Sequence, residues 1–118
     1  MALENEINKF LISLKLFPTL KGYNYIRMAI RLVLEGGSPF KSFKYQVYPL
    51  IAQKYRTNVA CVERNIINAI DAAWLNADVE VLRREFGYTV NENKGKPTSR
   101  EFILMAADKM RLADIING

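Results

Sequence analysis

The sequence predicts an all-α fold, a compact bundle of about six helices that contains a helix-turn-helix. Apolar residues recur three and four positions apart along nearly the whole chain, which is the spacing of one helix face, while alternation with a period of two is absent. No linker, internal repeat or low-complexity stretch divides the 118 residues. We therefore expect residues 1–118 to form one domain around a single core.

The first two predicted helices are separated by a proline. Residues 3–16 carry an apolar stripe with helical spacing and lysines on the opposite side. Because proline is well tolerated in the first turn of a helix, we expect Pro18 to begin the second helix, which two glycines at 36–37 end.

The middle of the chain is predicted to hold two helices around a short polar segment. Ser38 or Ser42 can cap the first of them, and Pro49 within its pattern predicts a kink or a restart. Residues 56–58 break the periodicity, and a longer helix follows over residues 59–75.

The last third is predicted to contain two helices joined by a polar loop. A short helix over residues 78–86 ends at Gly87, and residues 89–97 are polar. Thr98 or Ser99 opens the last helix. Its expected core positions repeat with helical spacing and are Phe102, Ile103, Ala106 and Met110.

Composition argues against an enzyme. The chain has no histidine and one cysteine, Cys61, and its carboxylates show no metal-binding spacing. It therefore lacks the usual general base of Ser-His and Cys-His catalysis, the commonest transition-metal ligand, and the thiolates for a disulfide or a zinc site. We expect no catalysis, no metal and no other cofactor.

The distribution of apolar residues argues against a membrane protein. The longest apolar runs are broken by charges well short of the roughly 18 residues that a membrane span needs. The N-terminus also lacks the basic stretch and apolar region of a signal peptide. We expect a cytoplasmic protein without membrane contact.

Positive charge is concentrated in the middle of the chain. The formal net charge is +5, with 17 Lys and Arg against 12 Asp and Glu. Residues 41–70 alone contain five basic residues and one acidic residue, a balance of +4. This concentration favours an anionic partner, although a modest basic excess also serves solubility.

Residues 47–75 have the element order of a helix-turn-helix. A short helix over residues 47–55, a polar turn and the helix 59–75 all lie within or beside the basic part of the chain. Because any pair of short packed helices can produce the same spacing, the spacing leaves open both DNA binding and a generic helical core.

The outward side of the helix 59–75 carries groups that can read DNA. At about 100° per residue, one side is apolar and the other carries Ala60, Glu63, Arg64, Ile67, Asn68 and Asp71. In a recognition helix, arginine pairs with guanine, glutamate accepts from cytosine, and asparagine pairs with adenine. The alternative is a solvated Glu63–Arg64 pair, but an outward isoleucine favours contact with a thymine methyl or a protein surface.

Several blocks of the sequence, taken in order over about residues 3–112, resemble the C-terminal effector domain of the stage-zero sporulation response regulators. The blocks are Lys21-Gly22-Tyr23 with Ile26-Arg27 and Ala29-Ile30, Tyr48-Pro49 with Ile51-Ala52 and Lys54, Val62-Glu63-Arg64 with Ile66, Ala69-Ile70 and Ala73-Trp74, Phe86-Gly87-Tyr88-Thr89-Val90, and Lys94, Lys96-Pro97-Thr98, Glu101-Phe102, Ala107-Asp108-Lys109 and Arg111-Leu112.

The resemblance implies a six-helix DNA-binding domain that reads short boxes with a TGTCGAA-like core and acts on tandem sites. It places the base-reading positions on the helix 59–75 and lysines suited to phosphate contact in the loop before the last helix. The predicted DNA-binding residues are Lys54, Arg56, Thr57, Asn58, Ala60, Cys61, Glu63, Arg64, Ile67, Asn68, Lys94 and Lys96.

Four positions on this helix depart from the family pattern. The family typically has Ser-Arg before Val-Glu-Arg and Arg-His after the isoleucine that follows, whereas this chain has Ala60, Cys61, Ile67 and Asn68. We therefore expect the fold of the family and a different preferred DNA sequence. The family's regulators also carry a receiver domain, so this sequence is either a shorter piece or a receiver-less relative that phosphorylation does not switch.

Two functions are consistent with these observations. The first is a sequence-specific, duplex-DNA-binding transcriptional regulator that associates with itself on tandem sites and contacts RNA polymerase through Asp78, Glu80 and Glu85. The alternative is a receiver-less protein-interaction module that has lost DNA binding and antagonises or modulates a sporulation regulator through Ile67.

Overall fold

A computed structural model describes residues 2–36, 42–86 and 96–117, and these contain seven helices and no strand, which confirms the all-α class. The helices are α1 (Ala2–Ser13), α2 (Lys21–Gly36), α3 (Phe43–Gln46), α4 (Tyr48–Lys54), α5 (Val59–Asn76), α6 (Val79–Phe86) and α7 (Ser99–Asn117). Within these ranges, none of the helices has the length and apolar character needed to cross a membrane.

The core forms around α2, which packs against α1, α4, α5 and α7. Buried apolar side chains from these helices and from α3 make one cluster, and no charged side chain of the described residues is buried. The four core positions predicted for the last helix are confirmed, since Phe102, Ile103, Ala106 and Met110 are all buried.

The prediction for one of the two prolines near helix starts is confirmed, and the prediction for the other is wrong. Pro49 lies in the first turn of α4, so the predicted restart is confirmed and the predicted third helix becomes α3 and α4. Pro18 instead precedes α2, in a turn where the N–H of Leu20 donates to the carbonyl oxygen of Phe17 (3.0 Å). The prediction that Pro18 begins the second helix is therefore wrong. The φ angle of proline suits the second position of a β-turn as well as a first helical turn.

Side-chain caps fix the starts of α3 and α7. The hydroxyl of Ser42 accepts the N–H of Tyr45 (3.3 Å), while Ser38 lies outside the described residues. Thr98 and Glu101 form a capping box, in which Thr98 Oγ1 accepts the N–H of Glu101 (3.1 Å) and Glu101 Oε1 accepts the N–H of Thr98 (2.9 Å). The capping box at Thr98 therefore fixes the start of α7.

Gly22 lies where α2 crosses α5. A Cβ atom at this position would lie 2.7 Å from the Cβ of Ala69 and would overlap the backbone carbonyl of Asn65. Only glycine permits this approach, so Gly22 determines how deeply α5 sits against the core.

Tyr48 joins the start of α4 to the start of α7. Its ring is 4% exposed and packs edge-on against Phe43, and its hydroxyl hydrogen-bonds with the side chain of Ser99. Burial, opposed by that hydrogen bond, raises the pKa of Tyr48 from 10.0 to about 12.

We expect the free energy of unfolding to fall as the pH rises above about 10, the ordinary pKa of tyrosine. Tyr48→Phe should remove the part of this fall that Tyr48 causes. The folded state keeps the phenolic proton above the pH at which the unfolded chain releases it, so alkali favours unfolding. Between about pH 8 and about pH 11, the wild-type free energy of unfolding should drop by roughly 1.4 kcal/mol more than that of Tyr48→Phe. Urea denaturation at both pH values tests this, and equal losses in the two proteins would contradict it.

Candidate nucleic-acid interface

The two faces of α5 are as the sequence predicts. Its inward positions Val62, Ile66, Ala69, Ile70 and Ala73 are buried. Of the outward positions, Ala60, Arg64, Ile67 and Asn68 are exposed and Glu63 is half-buried. Ile67 keeps 41% of its surface exposed, so an apolar side chain lies in the middle of a polar face. The outward face therefore offers a guanidinium, a carboxylate, an amide and an aliphatic group to one ligand.

The connection between α4 and α5 closes α4 with a left-handed residue. Arg56 has a φ of 55°, and its N–H donates to the carbonyl oxygen of Gln53 (3.4 Å). The N–H of Thr57 donates to the carbonyl oxygen of Ala52 (2.9 Å). These two bonds form a Schellman motif, in which glycine is the usual left-handed residue. An exposed arginine is thus held at the turn just before α5.

Two of the predicted DNA-binding residues have structural roles at the start of α5. Asn58 is the N-cap, since its Oδ1 accepts the N–H of Cys61 (2.8 Å). Cys61 is half-buried, and Asn65 Nδ2 donates to its carbonyl oxygen (2.8 Å) and lies 3.3 Å from its Sγ. Asn58 and Cys61 therefore help to shape the helix start.

The segment before α7 is joined to α5 by an ion pair. Lys96 Nζ lies 2.7 Å from Asp71 Oδ1, and both side chains are partly exposed. Lys94, the other lysine predicted in this loop, lies outside the described residues. The ion pair places Lys96 beside the outward face of α5.

A groove of about 640 Å³ runs beside α5, between α3, α4 and the start of α7. Its lining includes Glu63, Ile67 and Asp71 from the outward face of α5. Lys44 and Arg100 also line it, and neither is among the residues predicted from the sequence. Lys44 belongs to the basic segment 41–70, but no sequence signal places Arg100 near α5, because the two are distant in the chain.

Lys54 lies in a separate groove of about 360 Å³. There it shares the lining with Arg27, Arg31 and two carboxylates, Glu4 and Glu35. Arg31 lies 2.8 Å from Glu4 and 3.0 Å from Glu35, and its hydrogen bond to Glu35 is the main cause of its raised pKa. The carboxylates offset much of the positive charge around Lys54.

The acidic residues around α6 have partners within the chain. Asp78 Oδ1 accepts the N–H of Glu80 (2.8 Å), and Glu80 lies 3.7 Å from Arg83. Glu85 lies 3.0 Å from Lys109 of α7 and also pairs with Arg84. Across the described residues, no group of three or more cysteine, aspartate or glutamate side chains is placed to hold a metal ion.

A short helix, a four-residue connection and a long helix with an exposed polar face follow one another here, which is the element order of a helix-turn-helix. Residues 7–110 match the family model described as "Sporulation initiation factor Spo0A C terminal". The match covers most of the chain, and the chain belongs to this family. The family consists of DNA-binding effector domains of sporulation regulators, which are transcription factor domains and not enzymes.

Proposed function

We propose that this chain is a sequence-specific, duplex-DNA-binding transcriptional regulator, with α5 as a recognition helix in the major groove. The observation that carries the proposal is the outward face of α5, where Glu63, Arg64 and Asn68 stand on a helix whose other side is anchored in the core. Residues that read bases need a rigid support, and a packed helix supplies it.

Each group on this face has a matching base edge. Arg64 donates two hydrogen bonds to guanine O6 and N7, and Asn68 pairs with adenine. Glu63 accepts from cytosine N4, and Ile67 contacts a thymine methyl. The proposed site reads its sequence with these four residues, while the small Ala60 lets the start of α5 approach the DNA.

Cations around α5 contact the phosphates in this proposal. They are Lys54 at the end of α4, Arg56 in the turn, Lys96 beside Asp71, and Lys94, which lies outside the described residues. The hydroxyl of Thr57 adds a neutral donor. Arg56 is included because it is exposed in the turn just before α5. Phosphate contacts of this kind fix the register of a protein on DNA.

The wider proposal places the regulator in the cytoplasm as one domain over residues 1–118. It binds tandem sites as neighbouring copies and contacts RNA polymerase with the surface around Asp78, Glu80 and Glu85. The alternative function, a protein-interaction module without DNA binding, draws support from the exposure of Ile67 in its groove. A gel shift on mixed genomic duplexes at low salt separates the two, since the interaction module gives no shift at any salt concentration.

Arg64→Ala tests the base-reading role directly. We expect it to weaken binding to the preferred site by about 1–3 kcal/mol and to relax the preference at one base pair. Lys54→Ala should weaken binding to all DNA sequences by the same factor. Selection of bound sequences from a random duplex pool, followed by fluorescence anisotropy, measures both effects.

Arg83→Ala is the matched control, because it removes an exposed arginine of α6 that does not line the groove beside α5. It should change affinity and preference little. If Arg64→Ala weakens every sequence equally, Arg64 binds a phosphate and the base-reading assignment is wrong.

A further inference from the structure

Three cations lie along the groove beside α5, and they come from distant parts of the chain. Lys44 belongs to α3, Lys96 precedes α7, and Arg100 lies in the first turn of α7. All three residues are exposed. Lys54 lies in the other groove, against α2. The groove beside α5 thus has positive side chains at an edge for which the family resemblance implied only Lys94 and Lys96.

Arg100 is held in place by a buried aromatic pair. Its guanidinium carbon lies 5.1 Å from the centre of the Phe43 ring, and Phe43 is 5% exposed. The Phe43 ring in turn packs edge-on against Tyr48, with centroids 6.0 Å apart. A guanidinium carries five N–H donors, so a contact with an aromatic face is compatible with hydrogen bonds to an anion.

The charges in this groove favour an anionic ligand. Its two carboxylates are Glu63, which is half-buried, and Asp71, which the ion pair with Lys96 neutralises. The lining of the groove thus holds three basic residues, Lys44, Lys96 and Arg100, and two carboxylates. When a helix lies in the major groove, about 12 Å wide, the elements beside it meet the phosphates of the bordering strand.

We infer that Lys44 and Arg100 bind backbone phosphates of the DNA strand that borders the major groove occupied by α5. This inference rests on the proposed function and adds to it a phosphate-binding pair that joins α3 to α7. Phe43 positions the guanidinium of Arg100, and Asp71 holds Lys96 next to the pair. Because phosphates are the same at every base pair, the pair contributes affinity without preference.

The test is the double variant Lys44→Ala/Arg100→Ala in the full chain, with the selected duplex and a scrambled duplex as probes. We expect roughly tenfold or greater loss of affinity for both probes near physiological salt, and a log-log salt slope less steep by about 1.8, which corresponds to two phosphates. The single change Arg100→Lys, with Lys44 unchanged, should keep most of the affinity because it keeps the positive charge. Circular dichroism and Tm should confirm that the variants fold.

The control is Arg83→Ala/Arg84→Ala, which removes the same charge from the exposed face of α6. Equal losses in the two double variants would overturn the inference, since they would reflect net charge alone. Wild-type affinity and slope in Lys44→Ala/Arg100→Ala would overturn it while leaving the proposed function intact. Failure of the wild-type chain to bind any duplex would overturn both.

Discussion

Replacing Gly22 with alanine is expected to lower the free energy of unfolding by about 3 kcal/mol. Alanine normally stabilises a helix relative to glycine by up to about 1 kcal/mol, so intrinsic propensity predicts the opposite sign. Here the added methyl group would meet the backbone carbonyl of Asn65 and the Cβ of Ala69. A backbone carbonyl in a packed helix cannot rotate away, so α5 must shift as a unit, and overpacking of this kind costs about 1–3 kcal/mol or more.

Urea denaturation of Gly22→Ala beside Gly36→Ala checks this expectation. Gly36 is exposed at the end of the same helix, so Gly36→Ala should change stability by less than about 0.5 kcal/mol. Because α5 moves in Gly22→Ala, the variant should also bind DNA more weakly under conditions where it remains folded. Unchanged or increased stability of Gly22→Ala would show that α2 and α5 do not make the close approach.

The double change Ile67→Arg with Asn68→His is expected to raise affinity for a TGTCGAA box by about 2–3 kcal/mol, the scale of one to two base contacts. Isoleucine cannot donate a hydrogen bond and asparagine is uncharged, so the wild-type chain should bind that box weakly and prefer A·T pairs at these steps. Both positions are exposed, and the buried Val62, Ile66 and Ile70 that support the helix are unchanged.

The same two residue types placed elsewhere on α5 give a matched control. Leu75 is 83% exposed and Asn76 is exposed at the far end of the helix, so Leu75→Arg with Asn76→His adds the same side chains away from the proposed interface. Anisotropy with the TGTCGAA duplex should show the gain only for the change at positions 67 and 68. Tight binding by the wild-type chain would mean that Glu63, Arg64 and the phosphate contacts suffice for specificity. A folded double variant with no gain would favour the protein-interaction alternative.

The helices and their buried faces follow from local sequence. The stripe on α5, the restart at Pro49 and the cap at Thr98 all depend on residues within a few positions of one another. Interactions at three and four residues' separation also define the two faces of a helix, so the outward position of Arg64 and Ile67 could be predicted without tertiary structure. The family could also be identified without tertiary structure, because the resemblance depends on blocks of neighbouring residues.

The left-handed turn at Arg56 could not be predicted from the sequence, because the glycine that usually marks such a turn is absent. The ion pair between Lys96 and Asp71 was also unseen, since exposed charges have no periodicity that reveals their partners. Local sequence placed Arg56 in the turn and Lys96 in the loop, but tertiary contacts decided which groups each of them touches.

Sequence by itself determined the all-α class, the helix order, the core positions and the polar face of α5, because each depends on the regular geometry of a single helix. Tertiary structure alone decided that Gly22 meets the backbone of α5 and that Lys44 and Arg100 lie in one groove beside it. Gly22 is 43 positions from Asn65, and Lys44 is 56 positions from Arg100. Such contacts depend on how whole helices pack, and packing is set by the sum of many small side-chain contacts that no local pattern contains.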